Sequence, residues 1–235
     1  MCWPRGCTLA AICDRVGGTT GTSDSRLCTA GQGPYRPIVA RTRTVHTLLG
    51  AVAYDCVKLI VVRSGSAILF SEFGEKPVNV GDVVLLGPNT LCGSEPEDWI
   101  TTTTLYLDTD YVVDQVFWQH ASILADRFDA QGFAEARYAE PAQILRLGED
   151  RAGSLMPWLD ELVAVSVEGD FADRFYRMQS LLFAVMDVLA PFIKVSPIRT
   201  SVSARSRTRP TQPGSSDSSV VGPPGAGAGG GQEDA

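Results

Sequence analysis

Basic residues are in deficit in this chain: 20 Lys and Arg stand against 27 Asp and Glu, for a net charge of −7. A bulk surface for nucleic acid is thereby disfavoured, because phosphate contacts need clustered cations. Long apolar runs are missing too. None approaches the roughly 20 residues that span a bilayer, and Leu9–Cys13 is shorter than a signal-peptide core of about 7 to 15 residues. The expectation is a cytoplasmic protein with no membrane partner. Histidine is scarce: His46 and His120 are the only two. They belong to no motif, and His120, beside Trp118, reads as an ordinary, partly buried side chain. Nucleophile elbow, phosphate loop, dinucleotide glycine motif and HExxH are all missing, so no catalytic residue is expected and binding is the better functional class.

Six cysteines are present, none in CxxC spacing. Cys2, Cys7, Cys13 and Cys28 lie in a polar, glycine-rich start with irregular gaps and no nearby histidine. They are expected to be incidental thiols rather than a zinc site or a disulfide framework.

Residues 1–34 show no sustained apolar period and are expected to form a disordered arm. From Tyr35 to Leu107 short β-branched runs alternate with turn residues: Ile38-Val39, Val57 to Val62, Ala67 to Phe70, Val83 to Leu86 and Trp99 to Leu107. This is the pattern of an all-β barrel or sandwich over 35–107. Arg63-Ser-Gly-Ser66 reads as a hairpin turn in which Gly65 supplies a positive φ. Gly81-Asp82 reads as a second turn, leading into Val83–Leu86.

After Leu107 the period lengthens to that of a helix, and a helical segment is expected over 108–195. Asp108 to Asp110 offer capping oxygens. Val113, Phe117, Ala121, Leu124 and Phe128 share one face of a helix ending near Gly132. Ile144 to Leu147 is an apolar run suited to return to the sheet. A helix over Ser154–Val167 carries Leu155, Trp158, Leu159 and Leu162, with Pro157 tolerated in its first turn. The last helix, capped by Asp170 and ended by Pro191, repeats Phe171, Phe175, Met178, Leu182, Val185 and Leu189 at steps of four and three. That is a knobs-into-holes seam, facing either a helix of the same chain or a second chain. Leu181, Phe183, Val188 and Phe192 widen the stripe, so two buried faces are expected. Beyond Val195 the composition collapses into Ser, Pro, Gly and Arg, and 196–235 is expected to be a disordered linker or tail in which Arg199, Arg205, Arg207 and Arg209 are solvated.

Two stretches carry a family resemblance. Gly81-Asp-Val-Val-Leu-Leu-Gly-Pro-Asn-Thr-Leu-Cys92 resembles the second cupin motif, and Lys58 to Phe70 resembles the first cupin hairpin as it occurs in AraC-type transcription regulators. Barrel first and helices second also match the sensing and dimerisation domain of that family, so the resemblance covers about residues 36–195. It implies an α+β fold, a cupin-like antiparallel barrel followed by a helical dimerisation segment that uses the Phe171-to-Leu189 stripe. It also implies a small-molecule effector and pairing with a second copy or a full-length relative.

The departures from that family bear on chemistry. Metal-dependent cupins bring two His and a Glu before the hairpin and a His after the proline turn. Here Lys58 stands at the Glu position, Ala51-Val-Ala-Tyr54 spans the paired His positions, and Cys92 takes the last. No catalytic metal and no cofactor are expected from this set. Lys58, if it points inward, needs an anionic partner such as a ligand carboxylate or phosphate. An edge lysine facing solvent is the plainer alternative. Cys56 and Cys92 read first as small core side chains, with Cys92 a candidate ligand contact. Thr101 to Thr104 alternates faces, so two hydroxyls line any pocket; Thr101 and Thr103 are the candidates. No helix-turn-helix pattern follows Pro210, so a truncated regulator that reads no bases is expected. The alternatives are a stand-alone, metal-free cupin that binds a small molecule, and a cupin enzyme, which requires bound metal.

Overall fold

The computed structural model describes residues 36–197, apart from 73 and 168–170. The expected arm 1–34, most of the tail 196–235 and the Asp170 cap lie outside the described residues. In order, the elements are β1 (Ile38–Val45), β2 (Leu49–Val52), β3 (Cys56–Ser71), β4 (Gly74–Val78), β5 (Asp82–Leu86), β6 (Cys92–Asp108), α1 (Thr109–Gln119), α2 (Arg127–Arg137), β7 (Ala142–Arg146), α3 (Glu149–Val167) and α4 (Phe171–Leu189). The strands form one antiparallel sheet ordered β1-β6-β3-β5-β7, with β2 on β6 and β4 on β3. Together with the helices this is the α+β architecture expected from the sequence.

The hairpin expected at Arg63–Ser66 is a correction. β3 runs through it as one strand of 16 residues, and both of its halves pair with β6, a strand of 17 residues. The register slips between Val62 and Ser64 and again between Gly65 and Ala67, so Gly65 at φ +77° serves a bulge and not a turn. The bulges bend β3, and the far half of the sheet closes over the near half. Leu69 beyond the bend then packs with Val84, Leu86 and Ile144 in one apolar cluster between the halves. Gly81-Asp82 is the expected turn: Gly81 sits at φ +87°, and Asp82 accepts from the Asn79 backbone N–H at 2.8 Å. Asp82 also pairs with Arg146, tying β5 to β7.

The expected helix from 109 to 132 is two helices, separated at 120–126. The Asp108 carboxylate caps α1, accepting from the Tyr111 N–H at 2.9 Å, and Asp126 caps α2. Phe128, placed on the buried face by periodicity, is 88% exposed. A second cap in mid-stretch competes with continuation, and the local oxygen acceptor wins. α3 begins at Glu149 rather than Ser154, which leaves Pro157 inside the helix and not in its first turn. The missing hydrogen bond to Gly153 costs about 3 kcal/mol. Three leucines on the same helix, Leu155, Leu159 and Leu162, are fully buried and offset it at about 2 kcal/mol each.

α3 and α4 cover the outer face of the sheet, on Ile38, Ala40, Leu59, Val61 and Leu105. α3 also protects an edge: the Ala40 N–H on β1 donates to Ser166 Oγ at 2.9 Å. The α4 seam is spent within the chain. Met178, Leu182, Val185 and Leu189 are buried against α3 and the sheet, and Phe171 and Phe175 are packed against the same core. Of the residues expected to widen the stripe, Leu181 is buried while Phe183 is 46% exposed. The six residues assigned to dimerisation therefore form an intrachain core, and 108–195 is no separate segment, since it also gives β7 to the sheet.

Candidate functional site

The bend in β3 leaves a small apolar hollow between the two halves of the sheet, partly open to solvent. Leu69, Val84, Leu86, Ala142 and Ile144 wall it, Ser71, Gly74 and Lys76 border it, and Cys92 joins the lining. Strand parity places Lys58 on the same face. Lys58 is the register partner of Leu86 on one side and Tyr106 on the other, and directly opposed residues project from the same side of a sheet.

Lys58 is 6% exposed, which overturns the solvent-facing alternative. Its Nζ lies 4.3 Å from the centroid of the Tyr54 ring, and Tyr54 meets Tyr106 edge to face at 6.1 Å. Among the described residues no carboxylate pairs with it. Burial pushes the Lys58 ammonium below its ordinary pKa, while the nearby Cys92 and Cys56 thiols pull weakly the other way. Burial pushes the Cys92 thiol up, against a smaller opposing pull from Lys58. Burial thus disfavours the charged form of both groups.

Of the four predicted ligand-contact residues, Lys58 and Cys92 come together. Thr101 and Thr103 do not. They lie on the opposite, helix-covered parity, where Thr103 Oγ1 bonds Thr42 Oγ1 at 2.8 Å and Thr101 Oγ1 bonds Thr44 Oγ1 at 2.8 Å. The alternate pair, Thr102 and Thr104, shares parity with Lys58, opposite Val62 and Ile60. Alternation alone gave two equivalent choices. Tyr54 and Tyr106 were missed as site residues: Tyr106, in a strand, ordinarily reads as packing, and Tyr54 lies in the connection between β2 and β3.

A metal does not fit the donors at this place. Cys56, Cys92 and the Lys58 amine offer no imidazole and no carboxylate, and among the described residues no three His, Cys, Asp or Glu side chains are gathered to hold an ion. His120 lies elsewhere, its ring 4.7 Å from that of Phe133. No described helix is long and apolar enough to cross a membrane.

Fold and site together define a bent antiparallel sheet with a covering helix pair and a buried amine on the face of a small apolar hollow. No family model matches the sequence, and no curated protein matches it. Solved structures do resemble the fold. ToxT from Vibrio cholerae O395 bound to (E)-4-(8-methylnaphthalen-1-yl)but-3-enoic acid shares 11% identity at a TM-score of 0.44, over 68% of this chain and 59% of that one. Wild-type ToxT from strain SCE256, bound to an unsaturated fatty acid, shares 12% identity at a TM-score of 0.41, over 67% and 56%. A cupin 2 conserved barrel domain protein from Salinispora arenicola CNS-205 shares 20% identity at a TM-score of 0.30, over 36% and 74%. The chain thus matches only 59% of the length of the first of these ToxT chains.

Proposed function

We propose that residues 36–197 form the effector-sensing module of an AraC-type transcription regulator, which binds a small molecule in the cleft and does not catalyse its conversion. The observation that carries this reading is Lys58, a buried amine with no carboxylate partner among the described residues, on the same face of the sheet as a small apolar hollow. A protein keeps such a group at a cost of several kcal/mol unless something binds it. The site offers neither an acid–base pair nor a metal-ligand set, which favours binding over turnover.

The packing also supplies a route by which occupancy is felt elsewhere. Ala142 and Ile144 of β7 line the cleft. Between them, Gln143 points to the other face, where its amide donates to the Lys194 carbonyl at 2.9 Å and accepts from the Lys194 N–H at 2.8 Å. Ligand contact with β7 thereby bears on the segment that leaves α4.

A stand-alone small-molecule-binding cupin is a second reading, favoured by the intrachain burial of the α4 seam. Pairing, under the regulator reading, moves to the outer face of α4, where Tyr176 is 81% exposed and Phe183 46%. Thermal melts of the full chain with small carboxylates, phosphates and carbonyl compounds test the binding common to both readings. A compound that raises Tm in the parent, but not in Lys58→Met or in the cleft-filling Leu69→Trp, supports it. Stabilisation that survives both substitutions, or none with any compound, refutes it.

A further inference from the structure

Only three of the twenty Lys and Arg residues are lysine, namely Lys58, Lys76 and Lys194. One of these three stands where a permanent charge is hardest to keep. Arginine stays protonated in any protein environment, whereas lysine can shed its proton and remain as a neutral amine. Lys58 has the surroundings for that: 6% exposure, the Tyr54 ring against its Nζ, and thiols instead of carboxylates beside it. Burial holds its pKa down, so its lone pair is available nearer neutrality than that of a surface lysine. A desolvated lysine of this kind is the usual nucleophile in imine chemistry. Leu86, its register partner, lines the hollow, so Lys58 stands on the same face of the sheet as that hollow.

The geometry points to covalent capture at Lys58: its Nζ adds to the carbonyl carbon of an aldehyde or ketone whose apolar tail lies along Leu69, Val84 and Ile144. This rests on the cleft being a ligand site and adds the reactive group that the ligand carries. The nitrogen lone pair forms the C–N bond as the carbonyl π pair moves to oxygen, giving a carbinolamine. The oxygen then leaves as water, taking with it the two protons that the amine gives up, and C=N remains. Atoms and electrons balance without oxidant or reductant, and hydrolysis returns both partners. Cys92 competes for the same carbonyl by forming a hemithioacetal, which borohydride reagents do not trap as an amine.

The test treats the full chain with hexanal and sodium cyanoborohydride at about pH 7 and locates alkylated lysines by peptide mass spectrometry. Lys58 is expected to take a hexyl group at least about tenfold faster than the exposed Lys76 and Lys194. Lys58→Met, confirmed as folded by circular dichroism, loses that adduct, and Cys92→Ser keeps it. Labelling of Lys58 no faster than of the other two lysines overturns covalent capture. Hexanoate separates the two levels of the argument. If it stabilises the parent and not Lys58→Met while hexanal labels without preference, the cleft binds anions and only the imine inference fails. If neither compound acts, both fail.

Discussion

At the scale of single residues, two positions show how the backbone sets what a side chain can do. Gly65 has a positive φ, and a Cβ placed there meets the Trp99 carbonyl oxygen at 2.0 Å. Strand pairing fixes both backbones, so neither can give way, and Gly65→Ala is expected to cost about 3 kcal/mol or more by urea denaturation. Lys58 behaves in the opposite sense: the position tolerates the side chain but disfavours its charge. With a folded-state pKa below the unfolded value of 10.5, the unfolded chain binds more protons between the two, so this group's contribution to stability rises with pH across that window. Lys58→Met is therefore expected to be more stable than the parent near neutrality, with the gap closing as pH approaches 10.5. Comparing the two proteins at each pH cancels the opposite trends from Tyr111 and Tyr138, whose pKa values are raised by burial. A gap that does not change with pH would show that Lys58 stays charged in the fold.

At the scale of elements, the α3–α4 pair is core and α4 also presents an outer face. Met178→Glu with Leu182→Glu places two carboxylates among Leu155, Leu159 and Leu162 and is expected to unfold the domain, seen as loss of the helical circular dichroism signal, rather than to yield a folded monomer. Tyr176→Glu with Phe183→Glu is expected to leave the fold intact. Its sedimentation mass, set beside that of the parent, decides between pairing through the outer face and a stand-alone chain: a parent dimer that becomes a monomer assigns the interface there. Gln143→Ala removes two hydrogen bonds to the Lys194 backbone, at about 0.5–1.5 kcal/mol each, and is expected to lower the urea midpoint accordingly.

At the scale of the whole molecule, the cleft exists because one long strand bends. β3 and β6 each serve both halves of the sheet, and the bulges flanking Ser64 and Gly65 let the far half turn back over Val84, Leu86 and Ile144. The helices on the outer face contribute burial rather than chemistry, while the inner face stays incompletely filled and holds the lysine. Filling it with Leu69→Trp is expected to abolish ligand-induced stabilisation while costing about 1–3 kcal/mol from overpacking.

What the sequence by itself determined was local: the strand-rich first part and helical second, the Gly81-Asp82 turn, the Asp108 cap, the return to the sheet near Ile144 and the apolar stripe of α4. Each depends on periodicity or on a residue's own backbone preference, which neighbours in the chain decide. Tertiary structure decided the rest. Gly65 suits a turn and a bulge equally, and only the pairing of both flanks with β6 made it a bulge. Thr101 to Thr104 declared two faces without saying which was inner, because a one-residue shift in register exchanges them. The α4 stripe asked for a partner without naming it, and α3 with the sheet supplied it. Lys58 carried no local sign of burial: its place between Leu86 and Tyr106 follows from strands that meet across about 30 and about 50 residues of chain.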